Sequence, residues 1–253
     1  MTLAISPGDL AHARTAAFQR RVERARQVIS QAADLGRLGI SYSGGKDSTV
    51  VLHLVREIVP DAPAAFYDSG LEYPGTYEMV QYYGVETIRP EMSLADMCRY
   101  GGYWGHPNPT DPEAEFDFFS FLVAEPSWRF ITKYGLRVMT MGLRAQESKG
   151  RQLSAQRRGE LYYIKVRDMW HCCPLAFWTE DDVWAYIASR GLRYNPAYDK
   201  MAQLGIPRQR WRVGMLLGLV RPGLEDRYAW LRRMEPEIWN RLIREFPRIA
   251  DFT

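Results

Sequence analysis

Residues 38–58, LGISYSGGKDSTVVLHLVREI, constrain the fold more than any other stretch of this chain. The apolar run from Leu38 to Tyr42 predicts a short buried strand, and Ser43-Gly44-Gly45 predicts a tight turn. Lys46-Asp47-Ser48-Thr49 then opens a helix whose apolar face is Val50, Val51, Leu54, Val55 and Ile58. A strand that passes through a glycine-rich turn into a helix builds an anion site. The first backbone N–H groups of the helix lack intrahelical acceptors, and the helix dipole favours negative charge there. Two adjacent glycines let the backbone approach a phosphate closely. Lys46 adds a point charge and Ser48 a hydroxyl. The spacing differs from the Walker A pattern, which places four residues between its first glycine and Gly-Lys-Ser/Thr.

The rest of the chain supplies the partners such a unit needs. A long helix is predicted from the Pro7-Gly8-Asp9 turn, with Asp9 as N-cap, to Asp34. Further strands are predicted at Ala64–Tyr67, Val85–Ile88, Arg137–Met141 and, at an edge, Leu161–Val166. Helices are predicted at Leu94–Tyr100, at Pro126–Tyr134 with Ser127 as N-cap, and at Asp181–Ser189. The last is capped by Thr179 with Asp182 and ended by Gly191. Strands alternating with helices give an α/β class: a doubly wound, mainly parallel sheet that binds ligands beyond the carboxyl ends of its strands. Asp68 sits at one such end, either at the site or as a turn and cap residue. The irregular stretch after Gly101 carries Tyr103, Trp104 and His106, which either pin the loop or cover a substrate; pinning is the favoured reading. Residues 206–253 read as a basic, Trp-rich helical extension, including 228–234 and 237–246, beyond a nucleotide domain at 1–205.

Composition excludes several classes. No apolar run reaches the roughly 18–20 residues that span a membrane. The first residues lack the charged-then-apolar order of a secretory leader, and three cysteines cannot make a disulfide framework, so the cytoplasm is the expectation. The net charge of +3 is uneven: residues 190–253 hold thirteen Arg/Lys against seven Asp/Glu. Arginine suits bidentate phosphate contact, although codon bias produces the same excess.

Ser43 to Ser48 match at every position the pyrophosphate loop, SGGKDS, of the N-type ATP pyrophosphatases, and the chain resembles that superfamily. FYDSGLEYPGTYEMV resembles the matching segment of phosphoadenylyl-sulfate reductases through Asp68, Gly70, Pro74, Thr76 and Tyr77. GLRAQES, residues 142–148, resembles the Gly-x-Arg-x-x-Glu-Ser element that partners the loop, and CCPLAFWTEDDVWAYI followed by NPAY resembles a further shared segment. The resemblance implies an adenine nucleotide alpha hydrolase-like fold. It implies a nucleotide site at Ser43, Gly44, Gly45, Lys46, Asp47, Ser48, Asp68, Gly142, Arg144, Glu147 and Arg151. Lys46, Asp47 and Arg144 are then the catalytic set, Arg144 lies on a phosphate or sulfate, and Glu147 orients it or helps hold Mg²⁺. Seven Arg/Lys against two Glu in residues 142–167 would face the same crevice.

The resemblance also has a limit. The chain ends FPRIADFT, without the C-terminal cysteine segment of thioredoxin-dependent members, and Cys98, Cys172 and Cys173 do not complete four ligands for an iron–sulfur cluster within one chain. Adenylyl chemistry with ATP and Mg²⁺ is therefore the expectation: cleavage to AMP and pyrophosphate with an acceptor adenylated for sulfur transfer. That matches the ATP pyrophosphatase of bacterial DNA phosphorothioation systems, with DNA and a cysteine desulfurase as partners. The alternatives are a sulfate adenylyltransferase-like or sulfonucleotide-reductase-like enzyme, or a nucleotide-sensing subunit. Cys172 or Cys173 would accept persulfide sulfur, or else simply pack. Arg208, Arg210, Trp211 and Arg212 would contact phosphates and a base, or form a surface helix packed by its tryptophan.

Overall fold

A computed structural model describes residues 4–217 and 225–252. Its centre is a six-stranded sheet in the order β3-β2-β1-β4-β6-β5. The strands are β1 (Leu38–Ser41), β2 (Ala64–Tyr67), β3 (Glu86–Ile88), β4 (Val138–Met141), β5 (Leu161–Ile164) and β6 (Met169–Cys172). All pairs are parallel except β5 with β6, a hairpin that turns at Asp168 and ends the sheet in an antiparallel edge. The doubly wound, mainly parallel sheet is thus as expected. The strand Met169–Cys172 was not, and it inserts between β4 and the predicted edge strand.

Three helices, α2 (Ala16–Asp34), α3 (Lys46–Ile58) and α8 (Glu180–Arg190), form the main core over one face of the sheet. Ile40, Phe66, Val138 and Cys172 point into it. On the opposite face Ala65, Ile88, Met139 and Met169 meet Phe130 of α6 (Glu125–Tyr134) in a smaller cluster. Smaller helices complete the chain: α1 (Pro7–His12), α4 (Pro74–Tyr82), α5 (Leu94–Tyr100), α7 (Lys149–Arg158) and α9 (Ala197–Gln203). Two more follow, α10 (Glu225–Met234) and α11 (Pro236–Glu245). Trp211, Leu216, Leu231, Trp239, Leu242 and Phe246 are buried in the main core, so the C-terminal residues add to the packing over α8 and α9. Part of the predicted extension, 218–224 and Thr253, lies outside the described residues.

Two boundaries differ from expectation for physical reasons. The predicted first helix is two. Ser6, not Asp9, caps α1; Asp9 is the reciprocal partner of a capping box, and Thr15 restarts the chain as α2 by accepting from the Phe18 amide at 3.3 Å. Ser127 caps nothing, because a π-helical turn, Ser120–Ala124, runs straight into α6. Asp117 caps that turn through the Phe119 and Ser120 amides, each at 3.2 Å. The basic stretch after Glu147 is largely helical, as α7, with Ser148 accepting from the Arg151 amide. No helix among the described residues is long and apolar enough to cross a membrane.

Candidate nucleotide site

Beyond the end of β1 the chain turns through Ser43-Gly44-Gly45 into α3. Ser48 organises this turn: its hydroxyl accepts from the Ser43 amide at 3.2 Å and donates to the Gly45 carbonyl at 3.0 Å. Gly44 has φ +71°, and a Cβ there would lie 2.7 Å from Thr76 Cγ2, so only glycine fits. Two residues from the segment entering α9 hold the turn from behind. Asn195 Nδ2 donates to the Gly44 carbonyl at 3.2 Å and to Thr76 Oγ1 at 3.1 Å. The Lys46 amide donates to the Tyr198 hydroxyl at 3.1 Å. Gly142, leaving β4, passes so close to α3 that a Cβ would stand 2.8 Å from the Asp47 carbonyl carbon. That contact joins the two loops predicted to act together.

The charges behind the turn are arranged around Asp47. Its carboxylate takes Lys46 Nζ at 3.1 Å on one oxygen and Arg144 Nε on the other. Burial pushes the Asp47 carboxyl up, but Lys46 and then Arg144 outweigh it and leave it below the ordinary range. Glu180 stands 3.6 Å from Lys46 Nζ on the far side. Arg144 is 1% exposed and also donates to Gln146 Oε1 at 3.1 Å. It is paired with Asp47 and is not among the side chains that line the cleft. Arg151 does line the cleft, with Glu147 beside it accepting from both Arg151 Nη1 and the Arg144 amide.

The cleft has a volume of about 1020 Å³. One end is the turn, with Lys46, Asp47, Ser48, Tyr198 and Arg212. From there it runs across the face of β4, β6 and β5, where the pairings Met139–His171 and Tyr162–His171 place those three side chains on one face. Phe119 and Trp128, 56% and 51% exposed, stand on one wall, and Arg158 and Arg167 are also in the lining. Burial, helped by Arg167 and Arg158, pushes the His171 imidazole down to about 4, so it is neutral at pH 7.

Other expected residues fall elsewhere. Asp68 is buried, does not line the cleft, and accepts from the Gly70 amide and the Tyr77 hydroxyl, both at 2.9 Å. Cys172 and Cys173 are 0% and 4% exposed, and neither lines the cleft. Burial raises both thiols, Cys173 to about 11, so neither presents a thiolate to an incoming persulfide. Trp211 is buried with its indole donating to the Ile206 carbonyl at 2.7 Å, and no base can stack on it. Arg208 is spent on Asp9 at 2.7 Å, and Arg210 stacks on Trp230. Of that predicted set only Arg212 reaches the cleft. Tyr103 packs edge-on against Phe118, Trp104 edge-on against Tyr228, and His106 at a tilt against Phe246, which is the pinning arrangement. Sequence reasoning missed Tyr198 and Asn195 at the turn, although their Asn-Pro-x-Tyr pattern was visible, and it missed Glu180; Trp128 and His171, in the part of the cleft away from the turn, carry no sequence signal either.

A parallel sheet with a serine- and lysine-bearing glycine turn at the carboxyl end of its central strand defines a nucleotide-binding protein of the pyrophosphate-loop class. Residues 37–251 match the phosphoadenosine phosphosulfate reductase domain, and the chain belongs to that family. It is 30% identical over 218 residues to a phosphoadenosine 5'-phosphosulfate reductase of Xanthomonas campestris pv. campestris, covering 81% of this chain and 83% of that one. It is also 30% identical over 172 residues to adenosine 5'-phosphosulfate reductase 2 of Bacillus subtilis, covering 62% and 65%. Among solved structures it is similar to the phosphoadenylyl-sulfate reductase of Candida auris in its phosphate complex. The TM-score is 0.56 at 19% identity, over 76% of this chain and 87% of that one, a likeness of fold.

Proposed function

We propose that the chain is an adenosine-nucleotide enzyme of the sulfonucleotide type, its substrate an adenosine bearing a sulfated or phosphorylated anionic chain. The observation that carries this is the meeting, at one end of the cleft, of the Ser43–Ser48 turn with Lys46, Arg151 and Arg212. The compounds in the relatives' names, phosphoadenylyl sulfate and adenylyl sulfate, are the first candidates. In this reading the amides that open α3, with Lys46, take the anionic chain. Asp47, fixed by Arg144, aims the Lys46 ammonium, and Glu147 aims Arg151. These groups are in place before the ligand arrives, so they stabilise charge on a leaving group without reorganising.

A second reading rests on the thiols. Cys98, Cys172 and Cys173 are all buried and none lines the cleft, so none of these three stands ready to attack sulfur in a bound sulfonucleotide. That favours displacement at phosphorus: an acceptor attacks the α-phosphorus of ATP, pyrophosphate leaves, and the adenylated acceptor is passed on to sulfur transfer, as in DNA phosphorothioation. Lys46 is then catalytic and a cysteine desulfurase and DNA are the partners, in the cytoplasm. Among the described residues no group of three or more His, Cys, Asp or Glu side chains is placed to hold a metal, and both oxygens of Asp47 are taken by cations. Mg²⁺ would therefore enter on the nucleotide's phosphates and supply charge neutralisation there.

Product analysis separates the two. The protein is incubated with phosphoadenylyl sulfate or adenylyl sulfate plus a thiol reductant, and separately with ATP and Mg²⁺. Sulfite with the adenosine phosphate supports the first reading; AMP with pyrophosphate supports the second; ADP with phosphate overturns both. In either case Lys46→Ala is expected to lower turnover by about 10²-fold or more, with calorimetric binding of the nucleotide measured alongside.

A further inference from the structure

The turn end of the cleft accounts for only part of it. The remainder lies over the open face of β4, β6 and β5, away from Lys46. Its lining carries two kinds of side chain that the nucleotide reading does not use. Phe119 and Trp128, beside the π-helical turn and on α6, expose more than half of their surface and both line the cleft. Arg158 and Arg167, at the end of α7 and in the β5–β6 turn, have no carboxylate partner among the described residues, unlike Arg144 and Arg151 nearby. His171 adds an uncharged ring to the same lining. Exposed rings with unneutralised guanidinium groups in one trough are the chemistry that holds a single-stranded nucleic acid. Bases stack on aromatic faces whatever their identity, and phosphates take the arginines. A duplex offers the phosphates but not the base faces, since its bases are already stacked on each other.

We propose that the outer half of this cleft binds a single-stranded nucleic-acid segment, its bases against Phe119 and Trp128 and its phosphates on Arg158 and Arg167. This moves the nucleic-acid contact from the C-terminal arginines, which are largely spent on internal partners, to the cleft itself. It rests on the second reading of the turn end, adenylyl transfer from ATP, because it supplies that reaction with an acceptor strand.

The test is a fluorescence-anisotropy titration of the full chain with labelled 12-nucleotide single-stranded DNA, single-stranded RNA of the same sequence, and duplex DNA, at several salt concentrations. Calorimetric binding of ATP and of adenylyl sulfate is measured on the same samples. Single strands are expected to bind at least tenfold more tightly than duplex, and preference between the DNA and RNA arms identifies the source of the strand. Trp128→Ala is expected to weaken strand binding by about tenfold. Joint replacement of Arg158 and Arg167 by Gln is expected to lower the slope of log affinity against log salt by about 1.4. Both variants should bind the small nucleotide as the parent does. Absence of single-strand binding, or binding untouched by these substitutions, overturns the inference while intact small-nucleotide binding leaves the proposed function standing. Loss of small-nucleotide binding in the parent instead overturns the proposed function.

Discussion

Tyr198 shows how one hydroxyl can set a site. It is fully enclosed, and burial followed by the nearby Asp47 carboxylate raises its phenol well above the ordinary value, so it stays protonated and accepts from the Lys46 amide. Tyr198→Phe keeps the ring and leaves that amide without an acceptor. The expected cost is about 1–3 kcal/mol in chemical denaturation, with a weaker nucleotide affinity because the turn is no longer held. His171 gives a pH dependence of known sign. Its folded-state pKa of about 4 lies below the ordinary 6.5, so the unfolded chain takes up the proton first. Stability from this group is complete above about pH 6.5, falls as the pH drops towards 4 and then levels. In His171→Gln that part of the slope should vanish in melting curves recorded across the window; an unchanged slope would show that the imidazole is not desolvated as described.

At the scale of elements, the approach of β4 to α3 decides whether the two signature loops form one site. Gly142 has backbone, not side chain, in front of its missing Cβ, at 2.8 and 2.9 Å. Gly142→Ala must therefore push β4 and the start of α3 apart. A loss of about 1–3 kcal/mol and a melting temperature lower by several degrees are expected, together with weakened nucleotide binding. The elements that were readable from sequence are those whose pattern is local. The α3 face, the Thr179–Asp182 capping box and the glycine turn each sit within a few residues. Strand β6 was not readable, because Met-Trp-His-Cys has neither alternation nor a continuous apolar run and is specified by β4 and β5 on either side. The same holds for the site. Lys46 and Asp47 are visible in a motif, whereas Tyr198 and Glu180 reach it only through tertiary packing. Arg144 was legible as a member of the site but not as the support behind Asp47, since burial leaves no mark in a short motif.

Across the whole molecule, the amino-terminal helix α1 is tied to the segment that follows α9, beside α8. Arg208, just after α9, forms a bidentate pair with Asp9 of α1 at 2.7 Å and lies over the Trp184 ring of α8. Asp9 is 3% exposed, so Arg208→Met strands a buried carboxylate, and a loss of about 3 kcal/mol is expected from equilibrium unfolding. A double variant with Asp9→Leu should recover much of it, because removing both charges removes the desolvation penalty. The sheet order carries a consequence in time. The central strand β1 finds its partner β2 at once, but its other edge waits for β4, since Leu38 pairs with Val138. The turn that follows β1 waits longer still, for Asn195 and Tyr198. During synthesis the amino-terminal half therefore leaves the ribosome with an unzipped strand edge and an unfinished anion loop, and the ability to bind nucleotide is among the last properties the nascent chain acquires.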